Sequence, residues 1–286
     1  MTIGPGKAMG GGRDEAKGGG LEGAMRSFLQ EYRGGAGLIF LFDCDGTLAP
    51  LVERPELARL PPLTRAVLSE LASKPRTVIG ILSARDLEDL TRLVALPRAL
   101  YAGTSGLELD LRGERIVHPD AASFAERLWE LAAPLEEILR EYPGAWLERK
   151  KYAFTVHYRA AAEADRSELR ARALEALAPA GGEIRALDAP LAIEVTPATP
   201  WTKGSAVRKL FEASPEAVRR LLYAGDEAND EDAFRAAADL GGISIGIGER
   251  APGNASYRLP DPRALVDLLL EFLEALEPGI SGRLRG

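Results

Sequence analysis

The stretch Leu38-Ile39-Phe40-Leu41-Phe42-Asp43-Cys44-Asp45-Gly46-Thr47-Leu48 decides how this chain is read, because an apolar run stops abruptly at two carboxylates one residue apart. Five consecutive large apolar residues suit a strand covered on both faces, and Gly46 lets the chain turn directly after Asp45. In open parallel sheets, ligands bind at that end of a strand. Asp43 and Asp45 would crowd two negative charges there, and a nearby cation is the natural way to keep both ionised. The pattern points to a catalytic metal site, against the plainer alternative of a polar Asp/Gly turn that merely caps a strand.

Working outward, the chain alternates strand and helix patterns. The apolar runs predict a strand over 38–43, a helix near 62–73, a strand over 77–82, a helix near 86–94 and a short strand at Leu100. The pattern resumes after residue 204, with helices over 205–213, 231–238 and 262–276 and strands ending near Tyr223 and Ile247. Units of this length favour an α/β fold, a doubly wound parallel sheet with helices on both faces. Between the halves lies a segment of different texture. A hairpin pattern at 107–118 precedes a long helix for which Asp120 is the expected N-cap. Two short strands then flank the basic turn Arg149-Lys150-Lys151, followed by a helix over 161–178 and a strand over 191–195. It reads as a small α+β domain inserted into the larger one.

Composition limits the partners. The chain has 286 residues, 46% hydrophobic and 28% charged, enough for two domains with a substantial core. A formal charge of −7 gives no general attraction to nucleic acid or anionic membranes, so an anionic ligand must be held by local donors. A single cysteine, Cys44, excludes an intrachain disulfide framework, and no apolar run approaches a membrane span, so the cytoplasm is the expected compartment. Residues 1–20, rich in glycine and without the apolar segment of a secretory signal, are expected to be a disordered tail.

Further polar residues stand where apolar runs end or helices begin. Ser83 follows Val78-Ile79-Gly80-Ile81-Leu82, which would bring its hydroxyl out beside a helix N-terminus, a favourable place for a phosphate oxygen. Lys203 precedes Gly204 and a helix, and offers a point charge for phosphate. Asp226 follows Leu221-Leu222-Tyr223-Ala224-Gly225, with Asp230 four residues on. Singly, each has a plain reading: a helix cap, a solvated cation, acids favoured by a helix dipole. Together they supply a nucleophile, a proton-transfer group, a hard-metal site and phosphate donors, the requirement for metal-assisted phosphoryl transfer. With only His118 and His157 in the chain, a zinc site is not expected. Trp129 reads as core, Trp146 and Trp201 as packing at a domain junction, and Cys44 as a buried structural thiol.

These residues resemble the haloacid dehalogenase-like phosphatases through Asp43-Cys44-Asp45-Gly46-Thr47, Ser83, Lys203 and Gly225-Asp226-Glu227-Ala228-Asn229-Asp230, in that family's order. Within that group the chain is most similar to the trehalose-6-phosphate phosphatase family, through Leu147-Glu148-Arg149-Lys150, Thr155-Val156-His157-Tyr158-Arg159, Ile193-Glu194-Val195-Thr196-Pro197 and Trp201-Thr202-Lys203-Gly204. The resemblance implies a Rossmann-like core over 21–112 and 199–286 and a cap over 113–198. It implies Mg²⁺-dependent hydrolysis of trehalose 6-phosphate through an aspartyl-phosphate on Asp43, with Asp45 as acid and base. Mg²⁺ would be held by Asp43, the Asp45 main-chain carbonyl and Asp226, and phosphate by Ser83 and Lys203. Asn229 and Asp230 would orient waters or Lys203, and Glu148, Lys150 and Glu194 would meet sugar hydroxyls. It further implies a functional link to the trehalose-6-phosphate synthase that makes the substrate. Ala84 stands where the family has Gly, Ser105 where it has His, and Thr196 where Arg is frequent. None of these removes a catalytic group. Two alternatives stand beside this reading: a phosphatase for another sugar phosphate, such as sucrose phosphate or a glycosyl phosphoglycerate, and a catalytically idle sugar-phosphate binder.

Overall fold

The computed structural model describes residues 20–189 and 191–286. The tail expected over 1–20 therefore lies outside the described residues, apart from Gly20. Twelve strands and nine α-helices are formed among the described residues. The strands are β1 (Gly37–Asp43), β2 (Thr77–Leu82), β3 (Leu100–Gly103), β4 (Glu108–Leu111), β5 (Glu114–Val117), β6 (Trp146–Arg149), β7 (Phe154–His157), β8 (Ile184–Ala189), β9 (Ala192–Pro197), β10 (Val218–Gly225), β11 (Ile243–Ile247) and β12 (Tyr257–Leu259). The helices are α1 (Leu21–Arg33), α2 (Pro62–Ser73), α3 (Leu87–Val94), α4 (Pro119–Leu139), α5 (Glu163–Leu177), α6 (Lys203–Glu212), α7 (Glu231–Asp239), α8 (Pro262–Leu276) and α9 (Ile280–Arg285).

The larger sheet runs β12-β11-β10-β1-β2-β3-β4-β5, parallel from β12 to β3 and antiparallel at β4 and β5. Its central strand β1 is buried along its whole length, and its side chains alternate between two cores. Leu38, Phe40 and Phe42 pack with α1, α2, α3, α8 and α9, while Ile39 and Leu41 pack with α6 and α7. Strand order reverses at β1, which has β2 on one side and β10 on the other, and such a switch point opens a crevice at the carboxyl end of the strands. Asp43 is the last residue of β1.

The smaller sheet, β6-β7-β9-β8, is antiparallel throughout. Its alternation separates an apolar face, with Leu147, Phe154, Val156, Ile193 and Val195 packed on α4 and α5, from a polar face with Glu148, Thr155 and Glu194 on facing rungs. Two expectations are corrected here. Residues 113–118, expected in the inserted segment, carry β5 instead, which pairs with β4 and extends the larger sheet. Asp120 is not the cap of α4. Pro119 opens that helix, and His118 caps it by accepting the Asp120 main-chain N–H at 3.3 Å. Helices α1 and α9 and strands β8 and β12 are not anticipated from the sequence; β8 is a six-residue strand lying just before Pro190. No helix among the described residues is long and apolar enough to cross a membrane.

Candidate active site

Sheet register assembles the site. Asp43 at the end of β1 stands opposite Leu82, so Ser83 emerges beside it. On the other flank Phe42 stands opposite Ala224, and Gly225-Asp226 follow. Lys203 is the first residue of α6, fixed by a reciprocal cap between Thr202 and Ser205. Four segments far apart in sequence thus deliver buried Asp43, Ser83, Lys203 and Asp226 to one edge.

Lys203 is the hub. Its ammonium donates to Asp43 Oδ1 at 2.6 Å, Asp230 Oδ1 at 2.7 Å and Asn229 Oδ1 at 2.9 Å, matching three donors to three acceptors. Burial alone would push its pKa down, but Asp230 and Asp43 more than offset that and hold it well above the usual lysine range. Asp230 accepts from four donors: Lys203 and the Tyr223 hydroxyl (2.6 Å) at Oδ1, and the main-chain N–H groups of Asp226 and Glu227 (each 3.0 Å) at Oδ2. Carboxylate oxygens of Asp43, Asp226 and Asp230 lie within 4.8 Å of one another, a buried acidic triad able to hold a divalent cation. Within it Asp230 is already saturated with donors, which leaves Asp43 and Asp226 as the carboxylates free to ligate.

Asp226 accepts from Thr47 at Oδ1 (3.4 Å) and from the Arg250 guanidinium at Oδ2. Burial, reinforced by Glu227 and Asp230, pushes its carboxyl up to about 7. The edge sets three carboxylates against the cations of Lys203 and Arg250, an excess of negative charge that a dication would offset, and its oxygen-only donors suit a hard ion.

Asp45 is placed differently from Asp43. Arg85 grips both of its oxygens, Nε to Oδ2 at 2.7 Å and Nη2 to Oδ1 at 2.8 Å, and also donates to Asp89 at 2.6 Å and to the Pro55 carbonyl at 3.1 Å. Asp45 and Arg85 line a cleft whose opposite wall is the smaller sheet, with Glu148, Lys150, His157 and Glu194. The sugar-contact residues expected from the sequence are thus brought together over Asp45. Glu148 is held at 2.7 Å by His157 Nε2, whose ring stacks on Trp146. Glu194 Oε1 is buried with no hydrogen-bond donor among the described residues, Lys150 standing 3.9 Å away. The basic turn fastens this wall to the core: Lys150 Nζ donates to the Ala84 carbonyl at 3.0 Å, and the Lys151 main-chain N–H donates to Asp86 at 3.0 and 3.2 Å. Of the three departures, Ala84 borders this cleft, while Ser105 and Thr196 border a second recess beside Lys203 and Asn229. Ser105 adopts left-handed backbone (φ 54°), and its hydroxyl is buried without a partner among the described residues.

Sequence reading missed Arg85, Tyr223 and Arg250. A cation ahead of a helix N-terminus, against the helix dipole, is the signal at Arg85, and a phenol in an otherwise apolar strand end is the signal at Tyr223. Arg250 lies just beyond a strand's carboxyl end, and nothing else in the sequence marks it.

A family model described as trehalose-phosphatase matches residues 41–263. A trehalose-phosphate phosphatase of Mycobacterium avium is 33% identical over 249 residues, covering 83% of this chain and 62% of the relative. That of Mycobacterium tuberculosis H37Rv is 36% identical over 197 residues, covering 68% and 49%. The chain therefore spans about half to three-fifths of the length of these relatives. Among solved structures, the C-terminal domain of trehalose-6-phosphate phosphatase from C. albicans aligns over 91% of this chain and 99% of its own, at a TM-score of 0.76 and 24% identity, and so shares the fold. The match runs from β1 into α8 and takes in both sheets, and the chain belongs to the trehalose-phosphatase family.

Proposed function

We propose that the protein hydrolyses trehalose 6-phosphate to trehalose and inorganic phosphate, with Mg²⁺ as cofactor. The observation that supports this is a cleft lined by Asp45, two residues from the Lys203-bound Asp43, and by Glu148, Lys150 and Glu194, whose Oε1 accepts no hydrogen bond among the described residues. Asp43 attacks phosphorus in line and forms an aspartyl-phosphate, which divides one difficult displacement into two easier ones. Lys203 and the Ser83 hydroxyl stabilise charge on the transferring oxygens. The Ser83 oxygen accepts the Arg85 main-chain N–H at 3.2 Å, which leaves its own proton to donate.

Asp45 gives a proton to the departing sugar oxygen and then activates water, an exchange that contributes roughly 100- to 10,000-fold in rate. Both Asp45 oxygens are engaged by Arg85, so this pair opens as substrate enters. Mg²⁺, held by Asp43, Asp226 and the Asp45 carbonyl, would supply neutralising charge at the phosphoryl group. Glu148, Lys150 and Glu194 suit sugar hydroxyls because each hydroxyl both donates and accepts. The sheet that carries them excludes water once sugar is bound. The link to a trehalose-6-phosphate synthase is proposed through the metabolite the two share.

The test is phosphate release from trehalose 6-phosphate, with and without Mg²⁺, against sucrose phosphate and a glycosyl phosphoglycerate. Mg²⁺-dependent release fastest from trehalose 6-phosphate, lost in a folded Asp43→Asn variant, is expected. Retained turnover in that variant refutes the nucleophile; faster release from a competitor refutes the substrate.

A further inference from the structure

Arg250 is tied to Asp226, yet no step of the proposed reaction uses it. It follows β11 and Gly248, a glycine at φ +70° whose N–H donates to the Leu259 carbonyl at 2.8 Å and so seats the loop against β12. From there the side chain, 40% exposed, reaches inward to Oδ2 of Asp226, itself 3% exposed, with Glu227 Oε1 at 3.8 Å. A fixed positive charge thus rests on the carboxylate that the divalent-cation reading assigns as ligand.

We propose that Arg250 is a resident cation at this site: it holds Asp226 in position until a divalent ion replaces it, and it sets how tightly that ion binds. The inference rests on the reading that Asp43 and Asp226 hold such an ion. A guanidinium and a dication drawn to the same carboxylate repel each other, so one must withdraw. Asp226 is not free to move. Its Oδ1 accepts from Thr47, its main-chain N–H is held by Asp230, and Gly46 packs so closely on its carboxylate that a Cβ there would collide with it. Lys203 cannot be the one to withdraw, since it is fully buried and tied to three acceptors. Arg250 is on the surface side, with solvent to receive it, so Arg250 yields.

The sign of the prediction separates this positioning role from a merely structural one. Damage to a site weakens ion binding, whereas removal of a competing cation strengthens it. Mn²⁺ binding is read from the electron paramagnetic resonance signal of the free ion, at one fixed pH for the parent and every variant. Arg250→Ala is expected to bind Mn²⁺ about 5-fold more tightly than the parent, the weight of one partly exposed ion pair that no longer has to be broken. Arg250→Lys, which keeps the charge, should stay near the parent. Without metal, Arg250→Ala should melt lower than the parent and gain more on adding Mn²⁺. Equal or weaker binding by a folded Arg250→Ala overturns the inference while leaving the cation site standing. No Mn²⁺ binding by the parent, or binding unchanged in Asp226→Asn, overturns the cation reading and this inference with it.

Discussion

Asp230 gives the sharpest test of how the site is built. It is fully buried and takes four hydrogen bonds, two at each oxygen. In Asp230→Asn the shape is kept, but one oxygen becomes an NH₂ group that can only donate. Either Lys203 and Tyr223 or the two main-chain N–H groups then face a donor. A buried polar group left unsatisfied costs about 1–3 kcal/mol, and unpairing a buried charge about 3–5 kcal/mol. Lys203 keeps Asp43 and Asn229 as acceptors, so the charge penalty is only partly incurred and the total should be near 3 kcal/mol. That is a large share of a stability on the order of 5–15 kcal/mol. Tyr223→Phe removes a single donor to the same oxygen and should cost about 1 kcal/mol. Urea unfolding of parent and both variants, compared at equal slope, reads these values. A loss under about 1 kcal/mol for Asp230→Asn refutes the claim that its oxygens are saturated, and would return it to the set of free cation ligands.

Three further outcomes follow from the geometry. The Asp226 carboxyl is raised to about 7 in the folded protein against an ordinary value near 4, so folding favours its protonated form; its destabilising contribution is absent below about pH 4, grows through the window between, and is complete above about pH 7, to a ceiling of roughly 4 kcal/mol. In metal-free protein, Asp226→Asn should therefore gain on the parent in denaturation measurements as pH rises from about 5 to 8, and a pH-independent difference refutes the shift. Glu194→Ala should impair turnover of trehalose 6-phosphate far more than that of a small aryl phosphate, and equal losses argue against a sugar role. Gly46→Ala would place a side chain at φ +91° against the Asp226 carboxylate, so melting temperature and Mn²⁺ affinity should both fall; an unaltered melt shows that the loop has room to shift.

The core was legible because its strands are doubly buried, and an uninterrupted run such as Leu38–Phe42 can be told from surface by composition alone. The residues at the ends of those strands were legible for the same reason: polarity follows abruptly where burial stops. Asp43, Ser83 and Asp226 all come from such breaks. Arg250 and Arg85 were not, because a single arginine in a loop reads as solvated and only the tertiary approach of Asp226 or Asp45 gives it a partner. The hairpin of β4 and β5 is legible in the sequence, but the sheet it joins is not. Local pattern fixes that two strands pair, whereas the sheet they extend is decided by the contact of Leu100 and Tyr101 with Leu111 and Asp110. Pro119 in turn displaced the expected cap by taking the first helical position itself.

The clasp between the two units has an asymmetry with evolutionary weight. Asp86 contributes a carboxylate, whereas position 151 contributes an amide that nineteen of the twenty amino acids carry, together with an ion pair from its side chain to Glu108 at 3.5 Å. Drift at 151 can therefore cost that partly exposed ion pair yet keep the main-chain hydrogen bonds, which proline alone would remove. Mutational tolerance should accordingly be lopsided across this seam, broader at Lys151 than at Asp86.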